Sequence, residues 1–244
     1  FSQHGLVDIR GRENYPCYGL KHMQTAGEVN CKDGPNLGCN LTQGAGCTYE
    51  IAKGIAKEAD IIVTSYSYWL TVQDKAQGIE RTGKDRDIAG PNPIECLILD
   101  EADMAVDIVG DYLGCRLTEK EVSKYGDYPM GELLPEWQDW SKGVAIEVKE
   151  EIATTELEIL HMQSKGKVDP RLVEIMHKLE MFQTKLTRIV NAIPDDMVIE
   201  RFEGTKVGRL WSFGIVWPAR YMERYLYCGV PKVCAFSATF LNKT

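Results

Sequence analysis

Cys96-Leu97-Ile98-Leu99-Asp100-Glu101-Ala102-Asp103 is the stretch on which the fold turns. The first four residues are an apolar run, which reads as a strand buried on both faces of a parallel sheet. It stops on an acidic pair. In open parallel sheets, ligands sit at the carboxyl ends of strands. An Asp leaving such a strand can hold Mg²⁺, directly or through water, beside nucleotide phosphates, and the Glu after it can orient or deprotonate the attacking water. A strand that merely ends in two solvated acids is the alternative, but a four-residue apolar strand followed by Asp-Glu-Ala-Asp is much rarer. Asp100 and Glu101 are therefore the candidate catalytic acids.

Two further runs join this strand. Asp60-Ile61-Ile62-Val63-Thr64-Ser65 follows a helical face of Ile51, Ala52, Ile55, Ala56 and Ala59. Lys232-Val233-Cys234-Ala235-Phe236 follows a helical stretch from Pro218 to Tyr227, with Pro218 suited to a first turn. Helix followed by buried strand, repeated, predicts an α/β fold with a parallel sheet. Ser237-Ala238-Thr239 then places hydroxyls at the end of the last strand, able to bond to the acidic motif or to phosphate. The polar stretch from Gln73 to Pro93, with three glycines and two prolines, reads as a loop.

Between the second and third strands the pattern becomes helical. Thr118-Glu119-Lys120-Glu121 is a capping box. A helix is predicted from about Ser141 to Gln163, and Asp169-Pro170 starts another whose stripe runs from Leu172 to Ile193. Ser164 to Lys167 joins them as an antiparallel pair. Val198 to Val216 alternates as a hairpin turning at Glu203-Gly204. The sheet is thus expected to be interrupted twice, by a Cys-bearing loop module and by a helical insert.

That loop module carries Cys17, Cys31, Cys39 and Cys47 in a Gly-, Asn- and Pro-rich setting, with thirteen, seven and seven residues between successive cysteines. Zinc sites usually use close pairs, and the chain has no Cys-x-x-Cys. Wide loops around four thiolates are compatible with a cubane iron–sulfur cluster. Zinc with unusual spacing is the main rival. Four unligated loop thiols would leave the loop with nothing to hold it.

Hydrophobic residues make up 44% and charged residues 26%, as in an ordinary globular protein. No apolar run reaches the ~20 residues a membrane span needs, and the start has no signal-peptide pattern. The absence of an initiator Met suggests a fragment or a processed chain. Cys96, Cys115, Cys228 and Cys234 lie in apolar contexts, which suits a reducing compartment, cytoplasmic or nuclear. The net charge of −8 argues mildly against nucleic acid, but binding needs only a local basic track. Arg201 to Lys232 is locally +4, and Lys75, Arg81, Lys84 and Arg86 form a second cluster; from charge alone, solvated surface is the better reading of both.

Taken in order, Gly11-Arg12-Glu13-Asn14-Tyr15-Pro16-Cys17 with the later cysteines, Ala59 to Leu70, Leu99 to Asp103, and Phe236 to Leu241 resemble the iron–sulfur DNA helicases of the XPD/DinG type, in helicase superfamily 2. The resemblance implies a partial RecA-like parallel sheet in four segments. These are a cluster module at 1–58, motor-domain parts at 59–114 and 206–244, and a helical arch insert at 115–205. It implies that Cys17, Cys31, Cys39 and Cys47 ligate a [4Fe-4S] cluster. Asp100 and Glu101 would serve Mg²⁺ and water, while Asp103, Ser237 and Thr239 couple ATP hydrolysis to movement. Arg12, Tyr66 and Tyr68 are implied contacts to single-stranded DNA, since aromatic faces stack bases and Arg pairs phosphates. Members of the family move 5′ to 3′ along DNA, using ATP and Mg²⁺, and serve processes that include DNA repair. Protein partners are expected at the arch.

Two departures stand out. Asp103 occupies the position where the family's acidic box usually ends in His. No Gly-x-x-x-x-Gly-Lys-Ser/Thr phosphate loop is present, nor a second motor domain, so the chain by itself is expected not to hydrolyse ATP. The competing expectations are a non-motor, metal-stapled single-strand binding module and a zinc-bound interaction scaffold.

Overall fold

Short apolar runs did become parallel strands. The computed structural model describes residues 5–18, 46–77, 94–165, 167, 169–205 and 208–238. The chain is a mixed α/β protein of two units, Phe1–Val109 with Pro218–Thr244, and Gly110–Trp217.

In the first unit, β1 (Leu6–Ile9) pairs in parallel with β2 (Ile61–Thr64), Leu6 opposite Ile61 and Ile9 opposite Thr64. Helix α1 (Thr48–Glu58) precedes β2. β1 was not anticipated, because Asp8 interrupts its apolar character. Helix α2 (Tyr66–Gln77) follows β2, and Ser65 Oγ accepts from Tyr68 N at 3.3 Å. Gln73 to Gln77, expected in a loop, therefore belong to this helix; no Gly or Pro interrupts it. Residues 78–93 of that expected loop lie outside the described residues. β3 (Cys96–Leu99) pairs in parallel with the last strand, Lys232–Ala235, Cys96 opposite Lys232 and Leu99 opposite Ala235. The stretch before that last strand forms two short turns, Pro218–Tyr221 and Glu223–Tyr227, where one helix was expected.

The expectation that these strands are buried on both faces needs correction. Leu99 and Ile9 are buried, whereas Ile61, Val63, Ile98 and Val233 are exposed. Parallel strands need cover on both sides; among the described residues the first three strands are covered on one face at most, and all four residues of Lys232–Ala235 are exposed.

Helix α3 (Ala105–Leu113) leads into the second unit. There β4 (Cys115–Thr118) runs into the short helix α4 (Glu119–Val122) through the anticipated capping box. Glu121 N donates to Thr118 Oγ1 at 3.3 Å, and Thr118 N donates to Glu121 Oε2 at 2.8 Å. Helices α5 (Leu134–Ser164) and α6 (Pro170–Val190) pack together. Gln138, near the start of α5, donates to the carbonyls of Ile189, Val190 and Ala192 at the end of α6, so the pair is antiparallel. α5 begins seven residues before the expected Ser141, with Pro135 in its first turn. β5 (Met197–Thr205) and β6 (Gly208–Ile215) form the hairpin, and the antiparallel sheet has the order β4-β6-β5. The final strand, Lys232–Ala235, is β7.

The expected division at 205/206 is corrected by β6. Its pairing between β4 and β5 keeps residues 208–217 with the insert, because half a hairpin cannot leave its partner. Likewise, residues 6–9 of the expected cluster module belong to the parallel pair with β2.

The core of this unit is aromatic. The Trp137 ring lies 5.3 Å from Trp211 and 5.3 Å from Phe213, and its Nε1 donates to Gly131 O at 3.0 Å. Trp137→Ala is expected to destabilise the protein by about 3–5 kcal/mol, read from urea unfolding, because it leaves a cavity and an unpaired carbonyl.

Cys115 packs against the same core. Burial pushes its thiol up to about 11, while the charges of Arg188 and Lys185 pull less strongly the other way. The unfolded thiol loses its proton near the ordinary value of about 8.5. Between there and about 11 the folded state binds more protons, so stability falls as pH rises through that window. Urea unfolding should show wild type losing more stability than Cys115→Ala between neutral pH and that range.

Candidate functional site

The acidic box and the Ser-Ala-Thr motif meet because β3 and β7 are neighbours in register. Their ends are fastened beyond the ladder: Phe236 N donates to Leu99 O at 2.8 Å and Ala102 N donates to Phe236 O at 2.9 Å. Ser237 Oγ then donates to Asp103 Oδ1 at 2.5 Å. Asp100, Glu101 and Asp103 are all exposed, and Ser237 is half-buried. Thr239 lies outside the described residues.

Glu101 has φ 49° and ψ 46°, in the left-handed region. For a residue with a Cβ this costs roughly 1–2 kcal/mol. Hydrogen bonds on both sides hold it there. Its own N–H bonds to Asp100 Oδ1 at 3.0 Å, Met104 N donates to its carbonyl at 3.0 Å, and Ala102 N is fixed on Phe236 O. A strained residue over-determined in this way is a mark of functional sites. No residue type signals it, since neither Gly nor Asn stands at this position.

Tyr66 and Tyr68, expected as stacking platforms, behave differently from each other. Tyr66 Oη donates to Asp100 O at 2.8 Å, so α2 buttresses the acidic box. Burial raises the Tyr66 pKa, and the nearby Asp100, Asp103, Tyr227 and Glu101 charges add to the rise. Trp69 Nε1 also donates to Leu226 O at 2.7 Å, joining α2 to the turn before β7. Tyr68 is a correction: it is only 7% exposed, and its hydroxyl lies 3.3 Å from that of Tyr49. A ring packed in the core has no face to offer a base.

The cysteine module is described at its two ends. Cys17 and Cys47 are both half-exposed free thiols; Cys31 and Cys39 lie outside the described residues. Thr48 Oγ1 donates to Pro16 O at 2.9 Å, and the Tyr15 and Tyr49 rings lie 5.4 Å apart. The two residues before Cys17 thus meet the two residues that follow Cys47. Arg12, half-buried in the turn Arg12–Asn14, lies close enough for its charge to lower the Tyr49 pKa, although burial of that phenol raises it more. Among the described residues, no group of three or more His, Cys, Asp or Glu side chains is arranged to hold a metal ion.

The basic segment from Arg201 to Lys232 is divided between the two units, and its Lys206 lies outside the described residues. Arg201 and Arg209 both pair with Glu203, and Arg209 also meets Glu119. Arg224 lies over the Tyr225 ring at 5.1 Å. Of the other cluster, Arg81, Lys84 and Arg86 lie outside the described residues.

A comparison with protein-family models finds no match, and neither does one with curated proteins. Among the described residues no helix is long and apolar enough to cross a membrane.

Tyr68→Ala is expected to cost about 2–4 kcal/mol of stability, as for large-to-small core changes, whereas Tyr68→Phe should cost about 1. A Tyr68→Ala protein with unchanged melting temperature and lost single-strand affinity would restore the stacking role.

Proposed function

We propose that this chain is part of an ATP-dependent 5′–3′ DNA helicase that carries an iron–sulfur cluster, comprising the cluster module, part of a RecA-like motor domain and an arch insert. The observation that carries this reading is the joined ends of β3 and β7, with Ser237 on Asp103 beside the strained Glu101. A motor must make the state of its nucleotide felt at its strand contacts. A hydroxyl on one strand end bonded to the carboxylate box of its neighbour is a minimal device for that.

Asp100 fits a Mg²⁺ role, since Mg²⁺ is usually held by one or two carboxylates with water and phosphate. Glu101 would orient the attacking water, and Asp103 would take the coupling place that His holds in the helicases it resembles. Tyr66 holds the Asp100 carbonyl and so keeps the box in place. At the other site, soft thiolate donors fit an iron–sulfur cluster. Cys17 and Cys47 would hold it together with Cys31 and Cys39, and the cluster would supply the cross-link that a Gly-rich loop lacks. Arg12 stands beside this site and would contact a phosphate of single-stranded DNA.

Binding of a labelled oligothymidine to protein kept free of oxygen tests the reading. Single strands should bind more tightly than duplex, and Arg12→Ala should weaken binding several-fold with a shallower salt dependence. Glu101→Gln should leave it unchanged. No single-strand binding, or equal affinity in the Arg12→Ala protein, would overturn the assignment.

A further inference from the structure

Four of the eight cysteines belong to the proposed cluster. Of the others, Cys115 packs against the core of the second unit, and Cys228 Sγ donates to the carbonyls of Arg224 and Tyr225. Cys96 and Cys234 differ from both. They are exposed free thiols, and they stand in one ladder. Cys96 lies opposite Lys232, and Ile98 lies opposite Cys234. Alternate residues of a strand share a face, so Cys96, Ile98, Lys232 and Cys234 lie on the same side of the β3–β7 pair. All four are exposed. The thiols are close enough to act on each other. Desolvation raises the Cys96 pKa most, the charge and hydrogen bonding of Cys234 add to the rise, and Lys232 pulls it down.

The two thiols are diagonal neighbours, and the diagonal decides their chemistry. Strands about 4.8 Å apart that rise about 3.3 Å per residue put these Cα atoms roughly 8 Å apart. A disulfide spans about 4.4–6.8 Å between Cα atoms, so a direct bond would pull the strands out of place. An ion between the sulfurs replaces one bond of about 2 Å with two of about 2.3 Å each. The span grows by about 2.5 Å, which matches the diagonal. Structural zinc takes four ligands, and among the described residues no third His, Cys, Asp or Glu joins the pair. Soft thiolates also select copper(I), and a monovalent ion of that kind is satisfied by two sulfurs in line. Two thiolates on one such ion leave a single negative charge. Lys232, opposite Cys96 and on the same face, offsets it.

We propose that Cys96 and Cys234 form a two-thiolate site for a soft monovalent ion, copper(I), seated across β3 and β7. Each thiol releases its proton to solvent as its sulfur bonds to the ion, and no electron is transferred. The bound ion staples the two strands whose ends carry the acidic box and Ser237. The inference does not depend on the helicase reading.

The test uses the full 244-residue chain kept free of oxygen. Copper(I) is titrated against the coloured chelator bathocuproine disulfonate. Wild type should hold one more ion than either Cys96→Ser or Cys234→Ser, whatever the other cysteines bind. Cys228→Ser should hold as many as wild type. Lys232→Met should keep the number of ions and weaken this site several-fold. Without copper the two Ser variants should melt as wild type does; with it, wild type alone should gain melting temperature from this site. The proposal is overturned if the Ser variants hold as many ions as wild type, or if only one of the two loses an ion. A quantitative Cys96–Cys234 disulfide after mild peroxide treatment, found by peptide mapping, would also overturn it, in favour of a redox pair.

Discussion

The pairing of β3 with β7 is the constraint on which the first unit depends. One hundred and thirty-four residues separate Asp103 from Ser237, yet a 2.5 Å hydrogen bond joins them. The parallel ladder brings the strand ends together, and the two backbone bonds at Leu99, Ala102 and Phe236 fix their register beyond it. Each such bond contributes only about 1 kcal/mol net. Their value lies in leaving Glu101 no relaxed alternative. Tyr66 and Trp69 then bind α2 to both sides of the junction, to the acidic box and to the turn before β7.

The second unit is held differently. Its core is a cluster of large rings, Trp137, Trp211 and Phe213, clamped between a three-stranded antiparallel sheet and two long helices. Both ends of the insert are secured within it: Val216 N donates to Asp196 O at 2.8 Å, and Arg188 donates to Gly114 O at 2.9 Å. A unit with its own core and its own sheet holds its shape from within.

Much of this was legible because it rests on local chemistry. The β2, β3 and β7 runs are short, apolar and rich in β-branched or large aliphatic residues; the Thr118 box and the Asp169-Pro170 start have one physical reading each. What escaped was decided by contacts distant in sequence. β1 contains Asp8 and becomes a strand only because β2 offers it a parallel edge. Tyr68 and Tyr66 differ in fate because helix geometry turns one inward and leaves the other beside Asp100. The left-handed Glu101 has no composition signal at all. The exposed faces of Ile61, Ile98 and Val233 mark the opposite limit, where an apolar strand is taken to be buried before its cover is known. The acids and Ser237 were found as sequence motifs, while the closeness of Pro16 to Thr48 needed the fold.

The central claim joins a motor sheet to a cluster-stapled module, and the staple is its most exposed part. Iron and acid-labile sulfide analysis of protein purified without oxygen, with its visible spectrum, tests it most directly. The account predicts a brown protein with broad visible absorption, iron matching sulfide, and loss of both in Cys47→Ser. A colourless protein with a single zinc, or with no metal, would contradict it.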